Sequence, residues 1–209
     1  AVVRRLTTSL PLSERLLFAF AAGLLLFVTA TFVAGILHLL SSAFFVALPC
    51  LLLLAGGRPF LRLAKRVARR RPLLLPKQSA ESWAVTLFGV GALALVYFNV
   101  LSPQNATADA LWYHLTIPER YAVEGGISRY PEGWYMGTLP QLASLVYTWA
   151  FLLPKGGIFD RVVLAAHLEF CIFLWTLFGI PVLVRWVLGP ARSRGEPRVS
   201  TAGTWAALF

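Results

Sequence analysis

Between Arg15 and Arg58 the chain runs for 42 residues, Leu16 to Gly57, without an Asp, Glu, Lys or Arg. A soluble fold would have to bury all of it, whereas a helix of about 20 residues crosses the roughly 30 Å hydrocarbon core of a bilayer. The run is long enough for two passes. A tight reversal near His38–Ser42 would divide it into a first helix, Leu16–Leu37, and a second, Ala43–Gly57, bent at Pro49. Two further apolar runs, Trp83–Leu101 and Val162–Val184, supply a third and a fourth span, and a fifth begins near Thr201. Charged residues make up 13% of the chain, against about 25% in soluble domains, and mean hydropathy is +0.71. The expected class is all-α: a polytopic transmembrane helical protein, because lipid leaves a backbone few other ways to pair its polar groups.

The net charge of +10 would suit a nucleic-acid binder, but the basic residues sit in short blocks between apolar runs rather than along a solvated surface. Such juxtamembrane blocks set orientation and attract anionic headgroups. Membrane lipids, and not nucleic acid, are the expected partners. The densest block is Arg58, Arg62, Lys65, Arg66, Arg69, Arg70, Arg71 and Lys77. The positive-inside tendency makes residues 58–77 a cytoplasmic loop, and the two spans before it place Arg4, Arg5 and the N-terminus on the same side. The third span then carries the chain outward. Leu139–Leu153 is apolar but only 15 residues long. If it crossed, Arg185, Arg192, Arg194 and Arg198 would lie outside, against the charge tendency. It is therefore expected to lie along the interface as an amphipathic helix, with Tyr147 and Trp149 at headgroup level.

Three regions result. Residues 1–101 hold three transmembrane helices and the basic loop 58–77. Residues 102–161 form an external loop with juxtamembrane helices. Residues 162–209 hold the fourth helix, a basic cytoplasmic loop and the start of a fifth. The chain opens on Ala1 and stops at Phe209 inside an apolar segment, so a piece of a longer protein is expected.

The acidic groups that suit chemistry collect in the external region: Asp109, Glu119, Glu124 and Glu132, with His114 among them. Asn105, Thr107 or Asp109 can cap a helix that includes Ala110–Tyr113. Pro118 either kinks that helix or opens another, Pro118–Glu124, ended by Gly125-Gly126. Asn105-Ala106-Thr107 fits a glycosylation sequon, a pattern short enough to arise by chance. Cys50 and Cys171 lie in apolar runs, and there is no Cys-x-x-Cys, zinc-spaced Cys/His set, phosphate-binding Gly loop or Gly-x-Ser-x-Gly. His167 and Glu169 stand as a polar pair buried about two turns into the fourth span, where an acid is costly unless paired.

Several of these residues form a pattern. Asp109, then Tyr113 and His114 a turn later, a short helix ending in Gly, Tyr130-Pro131-Glu132-Gly133-Trp134-Tyr135, Leu139-Pro140-Gln141-Leu142 and Asp160-Arg161 at the next span together resemble the N-terminal part of the GT-C superfamily. These are membrane glycosyltransferases that use polyprenyl-phosphate-linked sugars, including the protein mannosyltransferase and aminoarabinose transferase branches. The resemblance covers about Trp83 to Val184. It implies a bacterial plasma-membrane transferase with Asp109 as catalytic base at the external face and a lipid-linked sugar as donor. It also implies Arg161, with Arg129 or Lys155, on the leaving phosphate, and Tyr113 and His114 positioning acceptor or phosphate. A divalent metal is compatible with it, and no residue is assigned as a metal ligand. The chain departs from the pattern where many members have Asp-Glu and it has Asp109-Ala110, and where they have Pro-Pro and it has Leu139-Pro140.

Each residue also has a structural reading. Asp109 can be only a cap, Arg161 only an interfacial anchor, and Trp112, Trp134 and Tyr135 only headgroup-belt aromatics. The competing functional class is a non-catalytic accessory subunit of a bioenergetic membrane complex, with His167 holding a haem or pigment and other membrane subunits as partners. A transporter with a His167–Glu169 proton relay ranks third, since no inverted repeat is visible.

Overall fold

A computed structural model describes residues 10–69, 80–103, 110–130 and 141–187. Among these residues six α-helices follow in order: α1 Leu12–Ile36, α2 Ser42–Arg69, α3 Ala80–Val100, α4 Thr116–Glu124, α5 Leu142–Phe151 and α6 Ile158–Val187, with a π-helical turn at Ala110–His114 before α4. Among the described residues there is no strand. Helices α1, α2, α3 and α6 each contain a stretch long and apolar enough to cross a membrane. Their surfaces are rich in exposed Leu, Phe and Val, and none of the Trp83–Val100 stretch is buried. Lipid is the natural solvent for such a surface, so the chain is an all-α, polytopic integral membrane protein.

Helix α2 departs from the expected boundaries. Its N-cap is Ser41, whose hydroxyl accepts from the Phe44 N–H at 3.3 Å. The helix then continues 12 residues past Gly57, so the first part of the expected basic loop 58–77 is helical. Arg, Lys, Leu and Ala all favour helix, and nothing between Gly57 and Arg69 breaks it except Pro59, which the helix absorbs.

The residues group into two compact units. In Ala1–Gly23 with Leu75–Val100 and Glu169–Phe209, aromatic contacts join the helices. Phe20 of α1 stacks on Trp175 of α6 at 4.6 Å, and Tyr97 of α3 meets Phe170 of α6 at 5.3 Å.

The other unit, Leu24–Leu74 with Leu101–Leu168, carries the polar region. The α1–α2 reversal falls where the sequence places it. Leu39 N–H donates to Ala34 O at 2.8 Å and His38 N–H to Gly35 O at 3.3 Å, with His38 at φ 54°, so a left-handed His ends α1 where Gly is usual. Helix α4 ends at Gly125, φ 71°, as the Gly pair implies. The two helix ends are then bonded together: Leu40 N–H donates to Gly125 O at 3.0 Å and Ile127 N–H to Gly35 O at 2.9 Å. Gly126 is buried against the reversal, and a Cβ there would fall on the His38 ring. Ala34, Leu40, Ile117, Tyr121 and Leu152 form the core beneath this joint. Gly126→Ala should therefore destabilise the unit by about 1–3 kcal/mol, the usual range for overpacking. His38→Gly in the same chain should restore most of it, and thermal unfolding in detergent measures both. A Gly126→Ala chain as stable as the parent would show that this joint is not tight.

Helix α5 is ten residues long, about 15 Å, or half the hydrocarbon core. Its Ser144, Leu145, Val146, Thr148, Ala150 and Phe151 are buried. Tyr147 and Trp149, expected at headgroup level, both pack against other helices of the unit. Tyr147 packs beside Ala150, Phe151 and Ala165 of α6, and Trp149 stacks on Phe45 of α2 at 4.4 Å with its edge toward Phe27 of α1 at 5.6 Å. Trp149 Nε1–H also donates to Phe45 O at 3.0 Å. That carbonyl is four residues before Pro49, which has no N–H to offer it. The indole thus fills a backbone vacancy that the proline creates.

Candidate functional site

The polar surface is built from the π-helical turn, α4, residues 125–130 and 152–161. Pro118 decides the shape of its first part. In a continuous helix from Ala110 the Pro118 ring would clash with His114 O and leave it without a donor. The chain instead widens before restarting: Leu115 N–H donates to Ala110 O at 2.8 Å, and Thr116 Oγ1 bonds Leu111 O. Pro118 then sits in the first turn of α4, where its missing N–H costs little. Such π segments recur at functional sites.

Tyr113 and His114 lie side by side in this turn, ring centroids 4.0 Å apart, with Trp112 edge-on to Tyr113 at 6.5 Å. Tyr113 packs against the Ala34–Ile117–Tyr121 core, so it holds the neighbouring imidazole in place. Asp109, which directly precedes the turn in sequence, lies outside the described residues. So do the sequon at Asn105, the Pro131–Tyr135 motif, Leu139-Pro140, Arg192–Arg198 and the run from Thr201.

Arg161 stands in the first turn of α6. The carboxylate beside it is already engaged, since Asp160 Oδ2 accepts from Gly157 N–H at 2.8 Å and so caps the helix. Arg161 Nε is buried and has no hydrogen-bond partner among the described residues. A cation in the first helical turn also faces the positive end of the helix dipole. Both facts leave the guanidinium in want of an anion. Lys155 is exposed in the turn before α6 at φ 59°, and Arg129 is exposed after α4. Among the described residues neither makes an ion pair.

A second cluster was not foreseen. Arg120 bonds Glu124 Oε1 at 2.7 Å one helical turn on and lies over the Tyr130 ring at 4.4 Å. Ser128 donates to the other carboxylate oxygen. The Ser128 bond, then Arg120, hold the Glu124 carboxyl below the usual carboxylate range. Burial pushes the Tyr121 and Tyr130 hydroxyls above theirs, so both stay protonated at neutral pH. The i,i+4 spacing of Arg120 and Glu124 was readable in the sequence, but the return of Tyr130 over Arg120 depends on the Gly125-Gly126 turn.

The expected burial of the His167–Glu169 pair is not found at Glu169. Residues two apart on a helix point to different faces. The His167 ring bonds Val163 O through Nδ1 at 2.7 Å, while Glu169 is exposed. Among the described residues no three His, Cys, Asp or Glu side chains come together. Compared with family models, curated proteins and solved structures, the chain matches none.

Proposed function

We propose that the chain is the N-terminal part of a GT-C-like glycosyltransferase that moves a sugar from a polyprenyl phosphate to an acceptor hydroxyl at the external membrane face. The observation that carries this reading is Arg161, a partly buried guanidinium without an anion at the start of a membrane helix, on the same folded unit as the Tyr113–His114 turn. A lipid-linked donor delivers its phosphate to that depth. In the proposed step Asp109 takes the proton of the acceptor hydroxyl, the oxygen forms the new glycosidic bond, and the bond from the sugar to the lipid phosphate breaks. The departing phosphate takes the bonding pair, and Arg161 stabilises its charge. Arg129 and Lys155 add positive potential, and His114 orients the acceptor. A short helix, α5, packed against α1, α2 and α6 supports the non-crossing arrangement this reading needs. Incubating membranes that contain the full-length protein with a sugar-loaded polyprenyl phosphate tests the reading directly. Donor left intact by a folded protein across the common bacterial sugars would remove it.

The topology of this proposal places residues 102–161 outside and the N-terminus and 58–77 in the cytoplasm. In a chain with Cys50 and Cys171 replaced by Ala, an impermeant thiol reagent added outside should label Lys155→Cys and leave Arg194→Cys untouched. The opposite pattern would mean that Leu139–Leu153 crosses.

The second reading, an accessory subunit with haem or pigment, rests on His167. With Nδ1–H donating to Val163 O, Nε2 is the acceptor nitrogen, the form that ligates metals. A visible absorbance band in the purified protein would favour it over the transferase.

A further inference from the structure

We propose that the end of α2 beyond Gly57 is a binding stripe for anionic phospholipid headgroups of the leaflet from which α2 emerges. The proposal does not depend on the transferase reading. Helix α2 has 28 residues and is about 42 Å long, which exceeds a hydrocarbon core of roughly 30 Å by about a dozen. The charge-free run ends at Gly57, so the excess lies at this end. Arg58, Arg62 and Lys65 follow one another at helical spacing, four and then three residues apart, which aligns them on one face. All three are exposed, and among the described residues none makes an ion pair. The sequence repeats the spacing at Arg66 and Arg69. No carboxylate occurs anywhere between Glu14 and Glu81, so the segment has no nearby acid of its own.

The other side of the same helix is apolar. Phe60 lies about 200° around from Arg58, at 100° per residue, and Ala64 follows one turn on. Phe60 is 65% exposed, and Leu61, 58% exposed, lies about 60° from Arg58 on the flank of the stripe. Cations on one face and bare apolar side chains on the other are the pattern of a helix at the membrane interface, with its basic side chains among the headgroups. The apolar flank selects the occupant. A soluble polyanion would neutralise the stripe but leave Phe60 and Leu61 in water, whereas a phospholipid held at the stripe also covers Leu61 on its flank and its neighbours in the leaflet cover Phe60.

The test uses the full chain in nanodiscs of phosphatidylcholine, with or without phosphatidylglycerol. The parent should retain phosphatidylglycerol in preference to phosphatidylcholine by native mass spectrometry, and should unfold at a higher temperature when it is present. Each cation removed from the stripe should weaken the preference about fivefold. The triple variant Arg58→Gln, Arg62→Gln, Lys65→Gln should lose it. A second variant keeps the charge but moves it off the stripe: Arg58→Phe with Phe60→Arg, and Arg62→Ala with Ala64→Arg. It should lose the preference too. Retention in the exchanged variant would overturn the stripe in favour of net charge alone. Equal stabilisation of the parent by inorganic phosphate in phosphatidylcholine discs would assign the cations to soluble anions and overturn the lipid assignment.

Discussion

Asp109→Asn should lower sugar transfer by about 10²–10⁴-fold while leaving expression, insertion and thermal stability at parental levels. The size follows from the chemistry. An acceptor alcohol is a weak nucleophile at neutral pH until its proton leaves, and Asn fits where Asp does but cannot take that proton. If Asp109 is instead only a helix cap, Asn caps nearly as well and activity should not move. The two readings therefore part on a single substitution. Asp109→Glu sharpens the result, because it keeps the base but shifts it by a methylene, and a partial loss would locate the requirement in geometry as well as charge. Full activity in Asp109→Asn would take this residue out of the mechanism. Arg161→Gln gives a companion measurement: if Arg161 neutralises the leaving phosphate, kcat should fall without loss of folding.

The spans were legible because hydrophobic length is a one-dimensional signal. Leu16–Gly57 announced two helices with a break between them, and α1, the reversal and the start of α2 fall there within a few residues. Helix α4 was legible for a local reason, since Pro118 and Gly125-Gly126 bound it by backbone chemistry alone. The extension of α2 to Arg69 is not marked in the sequence, because the change from apolar to basic composition ends the apolar run without ending the helix, Arg and Lys being good helix formers. Glu169 is exposed rather than buried beside His167, because residues two apart on a helix point to different faces. The Arg120–Tyr130 contact and the role of Trp149 were out of reach, because each joins segments whose approach depends on packing elsewhere in the unit.

Trp149 is where the largest loss of stability is expected. Trp149→Ala removes the stacking on Phe45, the edge contact with Phe27 and the bond to Phe45 O together, and should cost about 3–5 kcal/mol, as buried Trp truncations do. Trp149→Phe keeps an aromatic ring but leaves a partly buried carbonyl without its indole donor, at about 1–3 kcal/mol. Pro49 provides the discriminating step. Phe45 O lacks its helical donor because residue 49 is proline, so Pro49→Ala restores an N–H at that position. If the indole fills the gap left by proline, Pro49→Ala should rescue most of the Trp149→Phe loss and little of the Trp149→Ala loss, where the packing is gone as well. Unfolding of the parent, the single variants and the two double variants in one detergent closes the cycles. Strict additivity between Pro49→Ala and Trp149→Phe would show that proline and indole act independently. Helix α5 would then be held on α1 and α2 by its rings alone.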